Sequence, residues 1–191
     1  MMKKLIIGVS GVAVVALGIY LFLINGDKDG TSQVASSDQI ASSDQVASGD
    51  IKKIVQDFSL GNSKAVSASI TSNELMVINE DSTETVYRLP DDEFFVSIAP
   101  FVNETHPCAI HNLASCRGEM ANEEFDVYIE DHDGNVVMDE TIKSQPNGFI
   151  DLWIPRDKEL KVKISHDGKT AESDISSFEK DNTCITTMQL T

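Results

Sequence analysis

The chain has 191 residues, with 15 basic against 31 acidic side chains and a net charge of −16 at pH 7. That length holds one domain of ordinary size and a small extra unit. The acidity excludes nucleic acid as a partner, because nucleic-acid recognition needs a basic face; its direct consequence is a solvated, self-repelling surface.

Leu5 to Ile24 is a run of twenty uncharged residues, long enough to cross a bilayer as a helix. Lys3 and Lys4 precede it and Asp27 and Asp29 follow it. The positive-inside rule therefore leaves the N-terminus in the cytoplasm and exports the rest. The run stays bulky through Tyr20-Leu21-Phe22-Leu23-Ile24, with no small-x-small site directly behind it. This favours an uncleaved anchor over a cleaved signal. Without the two anchor lysines the exported part keeps 13 basic and 31 acidic residues, a net charge of −18.

Next comes a hexapeptide repeated three times, as Gln33 to Asp38, Gln39 to Asp44 and Gln45 to Asp50. Copies so short and polar cannot bury a core, and the composition is that of a flexible spacer. Asp50 is placed to cap a helix in which Ile51, Ile54, Val55 and Phe58 form one apolar stripe. Gly61 is placed to end it. Residues 62–73 carry no clear period. Leu75 to Ile78 and Thr85 to Leu89 have strand composition and are joined by the polar turn Asn79 to Glu84.

Phe94-Phe95-Val96-Ser97-Ile98-Ala99 is predicted as a buried strand closed by Pro100. Beyond residue 120 the pattern becomes all-β. Phe125, Val127 and Ile129 alternate with polar residues, Asp133-Gly134 makes a hairpin turn, and Val136 to Met138 follows, continued by Thr141 to Lys143. Asn147-Gly148 turns into Phe149 to Ile154, ended by Pro155. Leu160, Val162 and Ile164 alternate again before the turn Asp167-Gly168. A last strand is predicted over Cys184 to Leu190. Short strands with regular turn signals predict a mainly β, α+β fold with an antiparallel β-sandwich-like C-terminal part. The expected organisation is an anchor over 1–26, a linker over 27–49, a small helix-plus-hairpin unit over 50–92 and a β-rich metal-binding domain over 93–191.

The chemistry is concentrated in Thr105 to Glu119, which holds His106, Cys108, His111 and Cys116, half the chain's four histidines and two of its three cysteines. A helical turn is expected between Pro107 and Glu119. On it Cys108 and His111, three apart, share a face, with Cys116 about two turns on. Thiolate and imidazole donors at this spacing suit a soft ion, Cu(I) above all, with Zn(II) also accepted. Two competing readings of the same spacing are a Cys108–Cys116 disulfide in an exported protein and inert packing. Cys184 alternates with Thr186, Met188 and Leu190, so it is either a small core residue or a third sulfur facing the segment. An odd number of cysteines leaves one thiol over for a ligating or reactive role. His132 and His166 sit in hairpin turns and read as solvated turn residues, and Met188 reads as core. No phosphate loop, nucleophile elbow or H-E-x-x-H helix occurs, so no catalytic residue is assigned.

Several stretches together resemble a known family. Phe94 to Pro100, Thr105-His106-Pro107-Cys108 with His111, Cys116 and Gly118-Glu119, Asn147 to Trp153, and Asp181 to Leu190 look like the CueP family of bacterial copper-binding proteins. The resemblance covers residues 75–191 well and the helix from Ile51 more loosely. It implies an extracytoplasmic copper protein active in copper tolerance and in supplying copper to an exported Cu,Zn superoxide dismutase or another cuproenzyme. It places the family's cysteines on Cys108, Cys116 and Cys184 and its motif histidines on His106 and His111. It also implies a thiol-driven reduction of Cu(II) to Cu(I), which is chemically sound because two thiolates yield two electrons on forming a disulfide. The anchor over residues 5–24 departs from soluble members with a cleavable signal and predicts work at the outer face of a membrane. The sequence does not fix the oligomer and leaves a homodimer open; cysteine count and spacing leave a disulfide-stapled surface domain open.

Overall fold

The computed structural model describes residues 41–42 and 48–191. The expected anchor and nearly all of the expected linker lie outside them. Among the described residues, no helix is long and apolar enough to cross a membrane. The described residues all belong to one compact unit.

The elements in order are β1 (Ala41–Ser42), α1 (Ser48–Ser59), β2 (Ser67–Ile70), β3 (Glu74–Ile78), β4 (Glu84–Arg88), β5 (Glu93–Ile98) and β6 (His111–Asn112). They continue with β7 (Glu124–Asp131), β8 (Val136–Lys143), β9 (Ile150–Pro155), β10 (Glu159–His166), β11 (Lys169–Ser176) and β12 (Cys184–Ile185). Among the described residues three sheets result, in the orders β1-β4-β3-β2-β6, β11-β10-β7-β8 and β12-β5-β9. Among the described residues the mainly β, antiparallel expectation holds, with one short helix.

The three-stranded sheet is the middle layer, and its sequence shows why. β5 is buried at five of its six positions, the near-continuous apolar run of a strand covered on both faces. Phe94, Val96 and Ile98 pack with Ile150, Leu152 and Ile154 of β9 against Phe125, Val127, Ile129, Leu160, Val162 and Ile164 of the four-stranded sheet. Phe95 faces the other way, with the α1 stripe Ile51, Val55 and Phe58, the β2–β3 residues Ala68, Ile70, Leu75 and Val77, and Leu113. A single strand thus feeds two cores. Asp151, on β9, ties α1 to this layer: its carboxylate accepts hydrogen bonds from Ser59 Oγ at 2.5 Å and Ser97 Oγ at 2.6 Å. Burial raises its pKa against the lowering effect of those two hydroxyls.

Four expectations need correction. The helix starts at Ser48, so Asp50 lies in its first turn rather than at the cap. Residues 62–73 contain strand β2, whose Ser-Ala-Ser-Ile alternation is too polar to stand out. The segment 107–119 is not helical: it contains the two-residue strand β6, which pairs with β2 as Ser69↔Asn112 and Ile70↔His111. The last strand shrinks to Cys184–Ile185, although Cys184, Thr186, Met188 and Leu190 are buried in alternation as expected. Met188 packs in the main core, at 1% exposure.

Candidate metal centre

Three elements converge at the end of the middle sheet. Cys184 opens β12, which runs parallel to β5 with Cys184 opposite Ser97. Ser97 in turn faces Asp151, so Asp151, Ser97 and Cys184 form one row across the sheet on a common face. Cys184 is 2% exposed and packs with Ala99 and Phe149, with Cys108 and Cys116 at the margin of the cluster.

Cys108 arrives on an irregular loop. The Thr105 hydroxyl donates to Thr186 O at 2.7 Å, and Ala109 O accepts from Thr183 N at 3.0 Å and Cys184 N at 3.1 Å. The loop's start is gripped by Glu119, whose carboxylate accepts the backbone N–H groups of Val102, Asn103 and Glu104 at 2.8, 2.9 and 3.2 Å. Asn103 Nδ2 adds a fourth contact at 2.8 Å. The backbone N–H of Asn103 is the largest of the influences that pull the Glu119 pKa down to about 2.

His111 is fully buried on β6. Its ring centroid lies 4.4 Å from that of Phe149, and its Nδ1 is 3.6 Å from Cys184 Sγ. Burial first, then the charges of His106 and Arg117, lower its pKa to about 3, so the imidazole is neutral and able to ligate at any physiological pH. Nε2 has no hydrogen-bond partner among the described residues. One ring nitrogen thus faces a sulfur and the other is unclaimed, which leaves the ring free to serve a metal.

Cys116 closes the turn after β6. Its N–H donates to Asn112 O at 2.9 Å and its sulfur receives Asn112 N–H at 3.4 Å. Asn112 Oδ1 accepts from Ala114 N at 3.1 Å and Ser115 N at 3.2 Å. The Arg117 guanidinium donates to Cys116 O at 2.6 Å and to Ala114 O at 3.1 Å. Behind the turn, Gly118 and Gly148 touch backbone to backbone. Gly118 N donates to Asn147 O at 2.7 Å, and a Cβ on Gly148 would stand 2.8 Å from Gly118 Cα.

The ligand atoms of Cys108, His111, Cys116 and Cys184 all lie within 4.8 Å of one another. The cluster fits a soft ion by donor type as well as by distance. His106 is not among the four; its ring is 6.3 Å from that of Phe149, near enough to act on His111 by charge. The bonded pair is Cys108–Cys184, with Cα atoms 5.6 Å apart. The alternative Cys108–Cys116 pairing is therefore corrected: those two sulfurs are 3.7 Å apart and unbonded, and Cys116 is the free thiol. A partner 76 residues away is beyond the reach of short-range spacing.

Sequence reasoning missed the residues that shape the cluster without ligating. Phe149, Thr183, Gly118 and Gly148 lie in the stretches that carry the family resemblance, but neither that resemblance nor the strand and turn signals give them a part in shaping the cluster, and Asn112 carries no signal of its own. His132 is exposed as expected. His166 is better held than a solvated turn residue: its Nδ1 is 2.8 Å from Glu124 O, and its ring packs 5.0 Å from Phe125.

Sulfurs and a neutral imidazole, gathered at the edge of an antiparallel β scaffold, make a donor group of the kind that can hold a soft metal ion. Residues 50–189 match the family model described as periplasmic copper-binding protein CueP. The chain belongs to the CueP family, and the family's location places it outside the cytoplasm. It is also similar to a crystal structure of S.CueP, at 36% identity, with a TM-score of 0.69 and coverage of 74% of this chain and 88% of that one. No curated protein matches the chain.

Proposed function

We propose that this protein sequesters Cu(I) outside the cytoplasm, or hands it on, with Cys108, Cys116 and Cys184 as thiolate ligands and His111 as a fourth donor. The observation that carries the reading is the convergence of these four ligand atoms within 4.8 Å. Trigonal thiolate ligation suits Cu(I), and a hard ion such as Mg(II) or Ca(II) is disfavoured by the same donors. Zn(II) is the competing occupant, since it accepts Cys and His. His106, outside the four, serves as an auxiliary that brings or accepts the ion. Reduction of the Cys108–Cys184 bond makes the full thiolate set available. An acceptor would be an exported Cu,Zn superoxide dismutase or another cuproenzyme, and the apolar run over residues 5–24 would hold the work near a membrane.

The test is Cu(I) titration of the reduced full-length chain and of each cysteine-to-serine variant, in competition with a chelator of known affinity. Each single replacement should weaken Cu(I) binding by tenfold or more. Unchanged affinity in Cys184→Ser would rule out the three-sulfur site.

The position of a disulfide inside the donor cluster favours a second reading, thiol-driven reduction. Two thiolates of the reduced cluster pass one electron each to two Cu(II) ions, giving two Cu(I) and one disulfide. Loss of two thiols per protein on addition of excess Cu(II) under anaerobic conditions is expected. A constant thiol count would remove this reading and leave the first intact.

A further inference from the structure

The sulfurs differ in their bonding and in how firmly they are held. Cys108 Sγ is bonded to Cys184 and stands 3.7 Å from Cys116 Sγ, close to van der Waals contact. Cys116 is the free thiol, and its sulfur receives the Asn112 N–H at 3.4 Å, which fixes its position beside Cys108. Asn112 is fixed by strand pairing to Ser69 and by its own side chain, whose Nδ2 donates to Ser67 Oγ at 2.8 Å. Cys184 is anchored on β12 and almost fully buried, whereas Cys108 sits half-buried on a loop without regular structure. The loop is held on either side of Cys108, at Thr105 and Ala109. Because Cys116 Sγ and Cys184 Sγ lie within 4.8 Å of each other, the three sulfurs are not in line as they stand, and exchange requires the Cys108 side chain to turn until Cys116 stands opposite the Cys184 sulfur.

We propose that Cys116 is the nucleophile of an internal thiol–disulfide exchange centred on Cys108. The Cys116 thiolate attacks Cys108 Sγ; the Cys108–Cys116 bond forms and the Cys108–Cys184 bond breaks, its electron pair leaving on Cys184 Sγ. One disulfide and one thiolate stand on each side of the step, so it consumes no oxidant or reductant. The released Cys184 sulfur is 3.6 Å from His111 Nδ1 in a buried position. The exchanged molecule therefore offers a sulfur–imidazole pair to a soft monovalent ion while still oxidised. That capture step rests on the metal-binding reading above; the exchange itself does not.

The experiment uses the full-length, unreduced chain, incubated with and without one equivalent of Ag(I) as a redox-inert soft probe, then quenched in acid, alkylated and mapped by peptide mass. The expected result is Cys108–Cys184 as the main linkage without the ion and at least a tenfold rise in the Cys108–Cys116 to Cys108–Cys184 ratio with it. Cys116→Ser should keep Cys108–Cys184 alone under both conditions, and Cys184→Ser should form Cys108–Cys116. Absence of the Cys108–Cys116 linkage from wild type with and without Ag(I) overturns the proposal. So does a Cys116–Cys184 linkage, which would make Cys184 the attacked sulfur. Failure of exchange alongside intact Cu(I) binding by the reduced chain sinks this inference alone. Exchange without Cu(I) binding sinks the metal reading instead.

Discussion

The Thr183 hydroxyl accepts the backbone N–H of His111 at 3.1 Å, in a position where both residues are buried. The same hydroxyl donates to Ile70 O at 2.6 Å, while Thr183 N donates to Ala109 O and Thr183 O accepts from Ser97 N. One residue next to Cys184 thus ties β2 to β6 through its hydroxyl, and β5 to the Cys108 loop through its backbone. Thr183→Val removes the hydroxyl but keeps the shape, leaving a buried donor and acceptor unmatched at a cost of about 1–3 kcal/mol. We expect a lower melting temperature and weaker Cu(I) binding, with Thr183→Ser restoring both; equal loss in the serine variant would show that the methyl group, not the hydroxyl, matters.

The two motif histidines should separate cleanly. His111 contributes a ligand atom to the four-atom group and His106 does not. His111→Ala is expected to weaken Cu(I) binding by more than about tenfold, roughly 1.4 kcal/mol, and His106→Ala by less than about threefold. Competition titration of the reduced variants measures both, and the reverse order would exchange their roles.

Gly134 and Gly148 have the same backbone angle, φ of 84°, but different surroundings. A Cβ on Gly134 meets nothing within 4 Å, whereas on Gly148 it enters the backbone of Gly118. Gly134→Ala should cost about 1 kcal/mol, the left-handed penalty alone. Gly148→Ala should cost about 2–4 kcal/mol and also loosen Phe149 beside His111. Urea unfolding of the pair isolates the close approach as their difference.

Glu119 gives the loop an acid sensitivity. Its folded pKa is lowered from 4.5 to about 2 by the N–H groups it accepts. Its contribution is therefore present above pH 4.5 and is lost as pH falls toward 2. His111, lowered from 6.5 to about 3, adds a loss in the same direction as pH falls below 6.5, because the unfolded chain takes up a proton that the folded one refuses. Glu119→Gln should melt a few degrees below wild type at pH 7, with the gap closing near pH 2. A gap that persists there would assign the effect to shape rather than charge.

Where burial writes a short period into the chain, the sequence can be read. The α1 stripe Ile51, Val55, Phe58 and the alternations in β7 and β10 lie against cores and were visible as such. β11, with Lys169, Glu172 and Asp174 exposed and only Ala171 and Ile175 buried in the main core, has too few apolar positions to show. The segment after Pro107 misled for a different reason. Its i, i+3 spacing favours a helical turn, but His111 N is taken by Thr183, 72 residues away, and β6 by β2. Cys184 could be suspected from its alternation; its bond to Cys108 could not, because it depends on β12 returning beside β5.

The Cys108–Cys184 bond spans 76 residues of sequence, so it encloses most of the β-rich part of the chain in a covalent ring. On the proposed function, cutting it for copper loading would open that ring, and an ion held by the same sulfurs would close it again by coordination. Thiol status and cargo would then control one mechanical property, the tethering of the C-terminal strand to the loop before β6. The reduced, metal-free molecule is the state with neither clasp. It should be the one whose C-terminal residues a protease removes first, while the oxidised and copper-loaded forms resist alike.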